Sequence, residues 1–184
     1  MPKESKFVAT AQAVAKTVLS RKLSIKRGAA LLYQVTINNN LALTIDPAKP
    51  SRGESAFQTD LCIFEQKKRD LYIPRVVLEF KPGITTHDIL TYSAKARKHK
   101  QVYPYLRYGI VVENEATVPR RFFVHNESLD FFIALEGIKG LALKKVLAQL
   151  IRAEVKTSRL LESIAYGKDH PRLFRSEIRL RLRA

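Results

Sequence analysis

Residues 76–83, VVLEFKPG, decide how this chain is read. Three apolar residues in a row mark a strand buried on at least one face. The run then ends with Glu79 and Lys81 flanking Phe80, and in an extended chain positions i and i+2 point to the same side. A carboxylate and an ammonium therefore leave the core together at a strand's end. Pro82 and Gly83 close the strand.

Upstream, residues 56–65 (AFQTDLCIFE) and 73–81 (IPRVVLEFK) both predict strands, with QKKRD between them as the turn of a hairpin. Antiparallel pairing runs the start of one strand beside the end of the other. Asp60, early in the first, is thereby brought toward Glu79 from nineteen positions away. Two carboxylates and one ammonium are expected at one end of a sheet. Mg²⁺ takes oxygen ligands and keeps several waters, so one or two carboxylates suffice to hold it. Asp60 and Glu79 are the candidate metal ligands, with the Phe80 backbone carbonyl as a third. Lys81 is placed to orient a coordinated water or to offset charge developing on a phosphate.

Downstream, residues 84–101 predict a helix with Thr85 or Thr86 as N-cap, Asp88 in a capping role, and Ile89, Leu90 and Ala94 facing inward. Its polar side gathers Tyr92, Lys95, Lys98 and His99, with Lys95 and His99 at i, i+4. LRYGIVVEN (106–114) and RRFFVHN (120–126) predict strands, and LDFFIALEG (129–137) a short helix closed by Gly137. Residues 141–166 carry the apolar spacing of a long amphipathic helix. Before the hairpin, residues 4–23 predict a helix that includes Val18. A second helical piece is expected over 25–33, and a short strand near 41–45. The tail SEIRLRLRA alternates, and if extended it lays Arg179, Arg181 and Arg183 along one face.

Helices interleaved with a hairpin and a further strand imply an α/β fold: a central mixed β-sheet flanked by helices. One domain over 1–184 is expected, with a core over about 40–126 and a helical, basic extension over 140–184.

Lysine and arginine number 33 against 17 acids, a net charge of +16. Such an excess favours a polyanion, because neutralising phosphates releases condensed counterions. Tyr92, Lys95, Lys98, Arg179, Arg181 and Arg183 are the candidate nucleic-acid contacts. The lone Cys62 suits a reducing compartment, and no membrane-length apolar run or signal-peptide pattern appears, so a cytoplasmic protein is expected. The four histidines do not cluster at metal-ligand spacing. Gln101 and Tyr105 fit a Q-x-x-x-Y pattern, but Pro104 would break the helix it needs.

On Asp60 in QTDLCIF, Glu79 and Lys81 in VVLEFK, and the hairpin–helix–strand order ending in GIVVE, the chain resembles the PD-(D/E)xK nucleases. The resemblance covers residues 56–113. It implies a restriction endonuclease-like core, an acidic pair binding Mg²⁺ (or Mn²⁺ as substitute), and a lysine assisting phosphodiester hydrolysis. It also implies that the helix after the motif borders the cleft, so that Tyr92 or Lys95 contacts the scissile backbone. Thr59 stands where the motif's name has proline. Glu4 is the sole acid before Asp46 to serve as the first-helix carboxylate of many members. The expected activity is a Mg²⁺-dependent DNA endonuclease, a type II restriction enzyme acting as a homodimer with the long helix as one candidate interface. A junction-resolving or DNA-repair nuclease of the same fold, and a non-catalytic basic nucleic-acid-binding module, are the alternatives.

Overall fold

The computed structural model describes residues 3–17, 19–53, 55–168 and 170–173. In chain order the elements are α1 (Lys3–Lys16), β1 (Leu23–Arg27), β2 (Ala30–Leu32), β3 (Ala56–Gln58), β4 (Leu61–Lys68) and β5 (Leu71–Lys81). There follow α2 (Thr86–Val102), β6 (Arg107–Val112), α3 (Arg120–His125), β7 (Phe131–Ala134) and α4 (Gly140–Tyr166). Five strands form one mixed sheet in the order β1-β4-β5-β6-β7, and β2 pairs with β3 in a small second sheet. β4–β5 and β1–β4 are antiparallel, whereas β5–β6 and β6–β7 are parallel. α2 is the crossover that lets β6 lie parallel to β5.

β5 is central and buried from Pro74 to Phe80, which explains its continuous apolar run. Val76, Leu78 and Phe80 face α1 and α4, packing with Phe7, Leu147 and Ile151. Val77 faces α2 and joins Cys62, Ile89, Tyr92 and Tyr108. Each fully buried aliphatic or aromatic side chain contributes on the order of 1.5–3 kcal/mol. Glu79 and Lys81 continue the α2 face, as the period-2 alternation requires.

α2 opens with Thr85, whose side chain accepts from the Asp88 N–H while the Asp88 carboxylate accepts from the Thr85 N–H, a reciprocal capping box. The inward residues differ from expectation. Ile89 is buried, but Leu90 and Ala94 are exposed, and Tyr92, Ser93, Ala96 and His99 fill the face instead. This i, i+3, i+4, i+7, i+10 set is one helical stripe.

Several short elements depart from their expected type. Residues 25–33 form parts of β1 and β2, not a helix, since Ile25 and Leu31 are buried through pairing with β4 and β3. The region near 41–45 contributes only a single bridge, Ile37 to Leu43. RRFFVHN is a helix in which Phe122 alone of its apolar residues is buried, so a strand's alternation gains nothing there. FFIA is a strand because β6 offers it a parallel edge. α1 ends at Lys16, short of residue 23. Val18 and the tail with Arg179, Arg181 and Arg183 lie outside the described residues.

α4 is held to the hairpin by a buried ionic network. The register shift between Ile63 and Phe64 leaves Arg75 without a cross-strand partner, and such a bulge re-aims the side chain. Arg75 is fully buried. Its guanidinium donates to Glu65 (Nε at 2.7 Å) and to Glu162 on α4 (2.5 Å), and Arg159 donates to Glu65 at 2.6 Å. Burial would raise the Glu65 carboxyl, but the bonds from Arg159 and Arg75 outweigh it and hold it below the ordinary range. The inner face of α4, with Leu147, Ile151 and Val155, is intramolecular core, while Leu160, Ile164 and Tyr166 near its end are exposed. Among the described residues no helix is long and apolar enough to cross a membrane.

Candidate active site

Asp60 is positioned by a break in a two-stranded ribbon. β1 pairs with β4 as far as Arg27–Leu61, and β2 pairs with β3 from Ala30–Gln58 onward. Between these pairs the Gly28 N–H donates to the Asp60 carbonyl at 3.2 Å. Thr59 donates to the Ala29 carbonyl from its N–H at 2.9 Å and from its hydroxyl at 3.0 Å. Gly28 has φ +64°, and a Cβ there would lie 2.7 Å from the Gln58 side chain, so the break requires glycine. The strand expected over 56–65 is thus two strands, β3 and β4, with Asp60 at their junction. The turn is correspondingly shorter, Arg69–Asp70 rather than the whole of QKKRD.

Leu61–Leu78 is the last rung between β4 and β5. One step beyond it Asp60 and Glu79 stand opposite each other. The Asp60 N–H donates to Glu79 Oε2 at 3.3 Å, and the Phe80 N–H donates to Asp60 Oδ2 at 2.8 Å. The other Glu79 oxygen accepts a short hydrogen bond from the Tyr108 hydroxyl. Glu79 is only 2% exposed. Burial pushes its carboxyl up, the Asp60 charge adds to that, and the Tyr108 hydrogen bond and Lys95 ammonium pull back, leaving a pKa of about 7. Burial and the neighbouring Glu79 raise the Tyr108 phenol far above its ordinary value, so it stays protonated as a donor.

Lys81 anchors its backbone on β6, where its carbonyl accepts from the Glu113 N–H at 2.9 Å. Its ammonium lies 5.5 Å from the centre of the Tyr92 ring, and the Lys95 ammonium lies 4.9 Å from the same ring. Tyr92 is therefore a buried ring shared by two cations, of which Lys95 acts on the charge of Glu79 and Lys81 on that of Asp88 at the start of α2.

The structure brings together Asp60, Glu79 and the Phe80 backbone, with the Lys95 charge acting on Glu79, while Lys81 follows on the same strand face with its ammonium over Tyr92. Lys98 is exposed on another part of α2, and Glu4 falls in the first turn of α1 with its side chain outside what is described. One neighbour was not anticipated, and one helix residue expected on the polar side is buried instead. Tyr108 pairs with Val77 and is the diagonal neighbour of Glu79. A tyrosine inside the apolar RYGIVV run signals a hydroxyl needing a buried partner. His99 is buried, its Nδ1 lies 2.9 Å from the Leu32 carbonyl, and its ring stacks on Tyr108 at 5.7 Å. Burial lowers its pKa to about 4, so it is a neutral imidazole donating from Nδ1.

The donors suit a hard divalent cation. Both carboxylates retain lone pairs beyond those already engaged, since each offers about four acceptor positions. The Phe80 N–H points to the β4 edge, and in a strand the carbonyl of the same residue points to that edge too. Asp60, Glu79 and the Phe80 carbonyl thus offer oxygen ligands only, the preference of Mg²⁺. Among the described residues no group of three or more His, Cys, Asp and Glu could hold a metal, so such a site rests on two carboxylates, main chain and water. The chain matches no protein-family model, and no curated protein matches it in sequence.

Proposed function

We propose that this protein is a Mg²⁺-dependent DNA endonuclease of the PD-(D/E)xK type, with a restriction endonuclease-like core. The observation that carries this reading is the meeting of Asp60 and Glu79 at the end of the β4–β5 ladder, within reach of the Lys95 charge and on the strand face that Lys81 continues. The net charge of +16 favours a polyanionic substrate. The hairpin, helix and parallel strand follow one another in the order the resemblance implies.

Asp60, Glu79 and the Phe80 carbonyl are the groups that would hold the cation. Bound there, it would polarise a phosphate oxygen and lower the pKa of a coordinated water. The chain's own contribution is positional and electrostatic. Backbone N–H groups fix both carboxylates, Tyr108 orients Glu79, and Lys81 and Lys95 supply positive charge where a phosphate gains negative charge. A restriction enzyme acting as a homodimer is the simplest biological form, and a junction-resolving or repair nuclease would use the same groups.

Supercoiled plasmid incubated with Mg²⁺ is expected to be nicked or linearised, and EDTA to stop it. Asp60→Asn, Glu79→Gln and Lys81→Met are each expected to slow cutting by about 100-fold or more while DNA binding persists. Salt-sensitive binding with intact plasmid under all divalent-ion conditions would leave a binding module in place of an enzyme.

A further inference from the structure

A pocket of about 260 Å³, lined by Tyr33, Arg52, Gly53, Phe57, Gln58 and Lys95, is joined to the carboxylate pair through Lys95. The Tyr33 and Phe57 rings stack at 4.1 Å and 17°. Both are half-buried and belong to neither core cluster. The Lys95 ammonium lies 5.9 Å from the Phe57 ring centre as well as 4.9 Å from that of Tyr92. Lys95 also acts on the charge of Glu79, so one cation serves both places. Arg52 Nη1 donates to Gln58 Oε1 at 3.0 Å, fixing a planar guanidinium beside the aromatic pair. Gln58 precedes Asp60 by two residues, so pocket wall and acidic pair share one short segment. Among the described residues no acidic side chain lines the pocket.

We propose that this pocket receives an unstacked nucleobase from the strand whose phosphate lies at Asp60 and Glu79, an inference that rests on the nuclease reading. The Tyr33 and Phe57 rings cover each other's inner faces, so a base would stack on the outside of the pair, with arginine and lysine following the attached phosphates. The volume of about 260 Å³ lies below the roughly 300–1,000 Å³ of pockets for larger ligands, which suits one base. The preferred substrate is therefore single-stranded, or has an unpaired nucleotide beside the cut. A base bearing its own phosphate could also come from a free nucleotide, and the test separates the two.

The full-length chain in EDTA, so that nothing is cut, is titrated at one salt concentration with a fluorescent single-stranded oligonucleotide and with the blunt duplex of the same sequence. Tyr33→Ala and, separately, Phe57→Ala are expected to weaken single-strand binding by about tenfold relative to duplex binding, and Tyr33→Phe to retain it. Deoxyadenosine monophosphate that displaces the single strand from the wild type, but less from Tyr33→Ala, would identify a free nucleotide as a second source. Failure to displace would leave the strand as the source. An unchanged ratio of the two affinities in both alanine variants overturns the inference, and so does an equal loss of both affinities, which would make the aromatic pair a structural prop. Mg²⁺-dependent cutting of the same single-stranded oligonucleotide or of plasmid by the same wild-type preparation separates the two readings. A shifted ratio without cutting sinks the nuclease reading alone, and cutting with an unshifted ratio sinks only the base pocket.

Discussion

Asp60 and Glu79 face each other one step past the last β4–β5 rung, and the N–H of the first donates to the carboxylate of the second at 3.3 Å. Burial first, and then the Asp60 charge beside it, push the Glu79 carboxyl up to about 7. Structural acids seldom need this arrangement, whereas a site built to receive positive charge does.

Tyr108 is expected to act through Glu79. Tyr108→Phe removes the hydroxyl that accounts for part of the downward pull on the Glu79 pKa. Divalent-ion affinity should fall by about 10–100-fold, the usual effect of losing a partner of a metal ligand. The rising limb of the pH–rate profile should also move to higher pH. Calorimetric Mg²⁺ binding and a pH–rate profile check this, and an unmoved profile would reduce Tyr108 to packing.

In the metal-free protein, Glu79 and His99 are expected to make opposing contributions to stability. The folded Glu79 pKa of about 7 lies above its ordinary 4.5, so the native state holds the proton more tightly and stability is lost as pH rises from 4.5 to 7. The folded His99 pKa of about 4 lies below 6.5, so stability is lost as pH falls from 6.5 to 4. Each contributes on the order of 3 kcal/mol, so the two largely cancel. Relative to Glu79→Gln, wild type should lose stability as pH rises. Relative to His99→Gln, it should gain. Urea unfolding across this range measures both differences.

Arg75→Met is expected to cost about 3–5 kcal/mol, because Glu65 and Glu162 lose their shared buried partner. Glu65→Gln should cost less in the Arg75→Met background than in the wild type, because one of the two guanidinium partners of Glu65 is then already gone and only Arg159 remains. The folded Glu65 pKa lies below its ordinary value, so wild type loses this stabilisation as pH falls through that pKa, and Arg75→Met should lose less. Additive single-mutant costs in a double-mutant cycle would contradict the network.

Long-period signals were legible in the sequence and short ones were not. The VVLEF run, the Thr85–Asp88 cap and the spacing of Leu143, Leu147 and Val155 each repeat one physical preference over many residues, and β5, α2 and α4 formed as expected. FFIA and RRFFVHN are too short for periodicity to separate helix from strand, and their types were decided by the neighbours available to them. The approach of Asp60 to Glu79 followed from hairpin pairing alone. Tyr108 and Tyr33 were hidden because nothing local ties β6 or β2 to the acids, and the polar spacing of His99 gave no sign of its burial against Tyr108.

The sole cysteine, Cys62, lies wholly inside this sheet, two positions from Asp60, and burial together with the Glu79 charge suppresses its thiolate. Alkylating reagents can reach it only when the strands part. The molecule thus carries an internal chemical stopwatch, and whatever clamps the acidic pair together will slow its hands.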